Sequence, residues 1–234
     1  LYFVGLDLGQ ASDPSALCAL QRSDMPADHT GTFTRMYDVL GLKRWPLGTA
    51  YPVIVREVAD LLKERPLKGC QLIIDATGVG RPVRDLFREA KLPAELLSVI
   101  ITPGHAQTFT EGFHHVAKVI LISGVQILLQ QRFLRFAADL PDIPVLVREF
   151  ANYRVKVTPA ANEVFNAREG EHDDVVLAVA LACWAARRPG AGDFSFAPQV
   201  LPIGGGIHGA LARAEPASPL WSPVLSLAQI IRGA

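Results

Sequence analysis

The stretch Tyr2-Phe3-Val4-Gly5-Leu6-Asp7-Leu8-Gly9 decides the fold. It is a short apolar run that reads as a buried strand, yet it carries a carboxylate where such a strand does not tolerate one. An ionised Asp among Val and Leu costs several kcal/mol unless something cationic compensates it. Two further acidic positions have the same setting. Asp75 closes the apolar run Gln71-Leu72-Ile73-Ile74, and Asp173-Asp174 opens the long apolar helix that follows. Two strand ends and one helix start, each carrying Asp, are expected to converge on a divalent cation.

Outward from that first strand, residues 15–22 and 33–40 read as two more strands that complete an antiparallel meander, with a polar loop over 25–31. Residues 49–65 carry Val53, Ile54, Val58, Leu61 and Leu62 at helical spacing, and Pro66 stops the helix. A strand over 70–76, a helix over 81–91 with Pro82 in its first turn, and a strand over 96–102 follow. This order predicts a mixed α/β sheet of five or more strands with helices on its faces. Residues 102–113 read as a Gly- and Thr-containing loop, 117–131 as a helix and 144–151 as a short helix. Residues 153–157 alternate as a strand with Arg154 and Lys156 on one face, and 162–171 read as a polar loop. The helix over 173–187 is apolar nearly all round and therefore buried. From Pro189 onward Gly and Pro recur, so the chain divides into a core of residues 1–188 and a tail of 189–234. The tail's end, 224–231, is expected to form a short amphipathic helix that folds back on the core.

Composition sets the outer limits. A chain of 234 residues, half of them hydrophobic, can bury one sizeable core. Lys plus Arg and Asp plus Glu balance at 23 each, so no bulk positive field announces a nucleic-acid protein. Acids gathered into one site would nevertheless leave the remaining surface relatively basic. Cys18, Cys70 and Cys183 lie far apart in apolar surroundings, as reduced thiols of a cytosolic protein do, and their spacing does not suit zinc. No apolar run reaches about 18 residues and no signal-peptide pattern opens the chain, so a soluble, cytoplasmic protein is expected. Because a strand begins almost at the first residue, a domain of a longer polypeptide is expected.

Hard divalent ions take oxygen ligands, and two such ions about 4 Å apart stabilise an in-line displacement at phosphorus. Asp7, Asp75, Asp173 and Asp174 have the ligand type for that chemistry. Asp7 lies between Gly5 and Gly9, where the backbone can be approached closely, and Asp13 follows just past the turn. Asp75-Ala76-Thr77-Gly78-Val79-Gly80 leads from strand to helix, a place that favours an anion, and Arg81 stands next to it. Each site also has a structural reading: Asp7 as an acceptor for loop amides, Asp13 as a turn residue, one Asp of the pair as a helix cap. Asp174 shares its helical stripe with Ala178 and Ala182, whereas Asp173 aligns with Leu177 and Trp184. Spacing alone does not choose between them as ligands. The GxSxG and HExxH patterns of other hydrolases are absent.

In order, Gly5-Leu6-Asp7-Leu8-Gly9, Asp13, Ile74-Asp75-Ala76-Thr77-Gly78-Val79-Gly80 and Glu171-His172-Asp173-Asp174 before an Ala-rich helix resemble the nuclease domain of phage large terminase subunits. The resemblance covers about residues 2–188. It implies a ribonuclease-H-like fold and an endonuclease that cuts concatemeric viral DNA during genome packaging with magnesium or manganese. It further implies catalytic and metal-ligand roles for Asp7, Asp75 and Asp173, Asp174 or both, with Asp13 accessory. Asp7 is then expected to bridge two ions, with Asp75 and the Asp173-Asp174 pair holding one each. Arg81, Lys118, Arg154, Lys156 and Arg168 are candidate phosphate contacts. Double-stranded DNA, an ATPase motor domain, a small terminase subunit and a portal are the implied partners, in the host cytoplasm. The chain departs from the packaging subunits in having no GxxxxGK[ST] phosphate loop, so translocation is not expected of it.

Three other readings compete. A junction resolvase or transposase-like nuclease of the same fold would share the acids. A sugar-kinase or actin-like ATPase would use the first two motifs as phosphate-binding turns, but needs two full domains and no acidic pair on a terminal helix. An inactive nuclease fold would act as a docking module through its tail.

Overall fold

The structure is a computed structural model that describes residues 1–9, 13–26, 33–78, 80–137, 140–152, 154–157, 163–166, 172–189 and 224–226. The first strand, β1 (Tyr2–Asp7), pairs antiparallel with β2 (Ala16–Pro26), and β2 with β3 (Phe33–Arg44), giving the expected meander. Helix α1 (Tyr51–Lys63) follows. Strand β4 (Gln71–Asp75) then inserts on the other side of β1, in parallel, and β5 (Glu95–Thr102) lies parallel to β4 after helix α2 (Gly80–Glu89).

The segment expected to be a loop over 102–113 instead contains β6 (Gln107–Thr110), which forms a hairpin with β7 (Phe113–Ala117) at the sheet edge. Its polar residues are all exposed, so no apolar alternation marks the strand. Helix α3 (Lys118–Gln130) leads to β8 (Leu134–Ala137), parallel to β3, and then to α4 (Ile143–Asn152). The loop expected over 162–171 holds β10 (Glu163–Asn166), which pairs with β9 (Arg154–Val157) in a separate two-stranded sheet. Helix α5 (Asp174–Arg187) ends the core. In the tail, Val224–Ser226 forms β11, antiparallel to β8, and not the helix expected there; β8 has a free edge, and three residues suffice to pair with it. The rest of the tail lies outside the described residues.

The main sheet is thus nine-stranded and mixed, in the order β11-β8-β3-β2-β1-β4-β5-β7-β6. Period-two alternation sends Val4, Leu6, Leu72 and Ile74 to the face covered by α1 and α2, and Phe3, Ile73 and Val99 to the face covered by α3, α4 and α5. Helix α5 is buried on every side, as its sequence requires. It approaches β1 closely because Gly5 has no side chain: a Cβ there would overlap the Ala178 carbonyl oxygen and the Ala182 nitrogen. The small stripe of Asp174, Ala178 and Ala182 therefore faces the strand that carries Asp7. All three cysteines are buried and unpaired. No helix among the described residues is long and apolar enough to cross a membrane.

Candidate metal centre

The sheet register assembles the site. Asp7 follows the pair Leu6 and Ile74, which puts it beside Asp75 at the adjacent ends of β1 and β4. Both share the parity of Phe3 and Ile73, so both carboxylates lie on the face that α5 covers. On the other side Asp7 pairs with Ala16, and Ala16 with Arg44, so one row across the sheet runs Arg44, Ala16, Asp7, Asp75. The start of α5 then brings Asp173 and Asp174 over this row.

The register and the start of α5 therefore place Asp7, Asp75, Asp173 and Asp174 near one another, close enough for the other three charges to act on Asp7. Asp7, Asp75 and Asp174 are buried, at 8%, 7% and 2% exposure. Burial pushes Asp7 well above the usual carboxylate range, and the charges of Asp75, Asp173 and Asp174 push it further the same way. The contact with Asp75 raises Asp7 further. Burial also raises Asp75, opposed by hydrogen bonds from Thr77 and by the nearby charge of Lys118. Asp75 Oδ1 accepts the Thr77 N–H at 2.7 Å, so this residue shapes its turn as well. Burial raises Asp174, opposed first by Arg44, whose Nε donates to Asp174 Oδ2 at 2.6 Å.

Lys118, expected to meet a phosphate, begins α3 and donates from Nζ to Asp173 Oδ2 at 2.7 Å. It is a countercharge inside the cluster. Asp13 lies at the rim, where its Oδ1 meets His172 Nδ1 at 2.9 Å; the same nitrogen is 3.9 Å from Asp174 Oδ1. Asp13, His172 and Asp174 offer ligand atoms within 4.8 Å of one another. Arg81 stands in the first turn of α2 and Arg154 and Lys156 on β9, but their side chains, like the whole of Arg168, lie outside what is described. A cleft of about 440 Å³ opens alongside, lined by Gly9, Asp13, Ser15, Tyr51 and Gly78.

Three contributors carry no motif in the sequence. Arg44 shares a row of the sheet with Asp7, two strands away across Ala16. Tyr51 donates from its hydroxyl to the Gly9 carbonyl at 2.9 Å, and burial and then the charge of Asp7 raise it. Glu149 on α4 is buried, and its Oε2 accepts the Val176 N–H of α5 at 3.0 Å. Its Oε1 has no hydrogen-bond partner among the described residues. Burial raises this carboxyl to about 8, opposed by the Val176 N–H and reinforced by Asp174.

A hard divalent cation fits this donor set. The carboxylates repel one another; Arg44 engages Asp174 and Lys118 engages Asp173, and a divalent cation would offset the remaining charge that, with burial, raises Asp7.

No family model matches the sequence, and no curated protein matches it. Solved structures do. The large terminase nuclease of thermophilic phage G20c is 21% identical over 78% of this chain and 80% of that one, with a TM-score of 0.53. The same nuclease with bound magnesium gives 21% identity, coverage of 79% and 80%, and a TM-score of 0.55. The large terminase nuclease domain of Thermus phage P74-26 is 18% identical over 78% and 77%, with a TM-score of 0.54. The mixed sheet with helices on both faces that positions these acids is the fold of the large terminase nuclease domains.

Proposed function

We propose that this chain is a divalent-metal-dependent DNA endonuclease of the large terminase type, acting on double-stranded DNA with magnesium or manganese. The observation that supports this reading is that Asp7 and Asp75, at the ends of β1 and β4, lie near Asp173 and Asp174 at the start of α5, close enough for the charges of the other three to raise Asp7. Structures of one similar nuclease hold magnesium and cobalt. Asp7, between the other acids, would serve as the shared ligand of two ions; Asp75 would complete one site, and Asp173 with Asp174 the other. When bound, such ions activate water and stabilise the charge that develops on a phosphodiester at cleavage.

The protein's own side chains do the rest. Arg44 fixes the Asp174 carboxylate in one orientation, and Thr77 does the same for Asp75. Lys118 offsets the acidic charge through its bond to Asp173. Asp13 and His172 stand at the rim as accessory groups, and Asp13 also lines the adjoining cleft. A motor domain, small subunit and portal would supply packaging; this chain supplies the cut.

Incubating the protein with supercoiled plasmid in magnesium or manganese, with a chelator control, tests the reading. Metal-dependent nicking and linearisation are expected. Plasmid that stays supercoiled in both metals would leave the inactive docking fold as the better account.

A further inference from the structure

Helix α5 starts without the cap that its own sequence offers. A helix leaves its first amides unpaired, and an Asp in the cap position ordinarily accepts the amide two or three residues on. Asp173 holds that position, but its side chain makes no cap bond, and its backbone sits at φ −135°, ψ 22°, outside the extended region usual for a cap. Its carboxylate goes to Lys118 instead, at 2.7 Å. The amide it would have capped, that of Val176, is buried and is taken by Glu149 Oε2 from the neighbouring helix. A buried N–H without an acceptor is costly, so some group has to serve it.

We propose that Glu149 is a positioning residue for the acidic cluster: by capping α5 from α4, it releases Asp173 to stand with Lys118 beside Asp7. Only the functional consequence of this inference rests on the proposed metal site; the exchange of caps does not. With Glu149 removed, Asp173, in the cap position, is the acceptor that the helix's own sequence offers the Val176 amide. It then turns back to cap its own helix, its backbone moves toward the extended region, and the cluster loses a donor. Glu149→Gln keeps an oxygen that accepts the same N–H, so it should keep Asp173 in place.

Two metal-free readouts test the exchange. In chelator, Asp173→Ala should change the melting temperature little in the parent but lower it clearly in a Glu149→Ala background, where Asp173 has become the cap. An equal effect in both backgrounds would overturn the proposal. Amide exchange decides the matter even if Glu149→Ala does not fold: the Val176 amide should stay as protected in Asp173→Ala as in the parent, and a tenfold faster exchange there would show that Asp173 was the cap. A third readout is manganese affinity by calorimetry. Glu149→Ala should weaken it about 10–100-fold, the range seen when outer groups that orient ligands are lost, and Glu149→Gln should restore it to within about threefold. Equal weakening by both variants would overturn the positioning role. Absence of manganese binding in the parent would count against the metal centre, while the melting and exchange data would still decide the cap.

Discussion

Replacing Asp7 by Asn separates the electrostatic role of this residue from a structural one. The amide keeps the volume and can donate to Asp75, but it carries no charge. In the metal-free chain Asp7 lies among Asp75, Asp173 and Asp174. Two carboxylates about 4 Å apart repel by about 4 kcal/mol at an effective dielectric of about 20, and this repulsion acts with burial to raise Asp7. Asparagine carries no charge to be repelled or desolvated, so in chelator at pH 8 the variant should melt at or above the temperature of the parent. Manganese should divide them. At a free concentration about a hundredfold above Kd, mass action stabilises the parent by about 2.7 kcal/mol. At about 2–4 °C per kcal/mol for a chain of this size, that is a rise of about 5–10 °C. The variant, without the shared ligand, should rise by less than about 2 °C on the same scale. Its plasmid cleavage should fall about 10³-fold, since several kcal/mol of charge stabilisation are lost at about 1.36 kcal/mol per decade. Scanning calorimetry with and without manganese reads both halves. A variant that gains as much as the parent from manganese refutes the placement of the ions at Asp7. A variant that melts well below the parent in chelator shows that Asp7 is chiefly a structural acceptor.

Gly5→Ala would drive a methyl group into the Ala178 and Ala182 backbone, at a cost of about 1–3 kcal/mol for overpacking, and should lower the melting temperature by several degrees while weakening manganese binding. A parent-like melt would contradict the close packing of α5 on β1. The pH dependence has a definite sign: Asp7, Asp75, Asp174 and Glu149 all have raised pKa values, so the folded apo protein holds protons that the unfolded chain has released. That stabilisation is complete at acid pH and is lost as pH rises, for Glu149 between its ordinary 4.5 and about 8. Melting in chelator should therefore fall from pH 5 to 8, with manganese affinity rising over the same range; apo stability that increases across it would count against the raised carboxyls. Truncation after Arg188 removes β11 from the edge at β8 but leaves Asp7, Asp75, Asp173 and Asp174 in place, and should leave a core that unfolds cooperatively and still cleaves plasmid. Loss of cooperativity would show that the tail completes the core.

The central part of the fold was legible because its residues carry strong signals. Asp7 stands out among Val4, Leu6 and Leu8, Asp75 ends an unbroken apolar run, and α5 is apolar on every face, so the strands and the helix that gather the acids could be read directly. The rest lacked such contrast. Strand β6 has both faces in water, and β8 is only four residues long. The tail strand β11 exists through its pairing with β8, and three residues have no period of their own. The same distinction holds at the site. The acids come from motifs, whereas Arg44 shares a row with Asp7 through the β1-β2-β3 register, and Lys118 reaches Asp173 across 55 positions. Glu149 acts through a backbone amide of a helix 27 residues further on, a contact that depends on how α4 packs against α5.

Manganese soaked into crystals of the protein, and located by its anomalous scattering, tests the central claim most directly. Two peaks about 4 Å apart are predicted, the spacing of two-ion phosphodiester sites, with Asp7 touching both, Asp75 on one and Asp173 or Asp174 on the other. A lone peak between Asp13 and His172, with none at Asp7, would contradict the account.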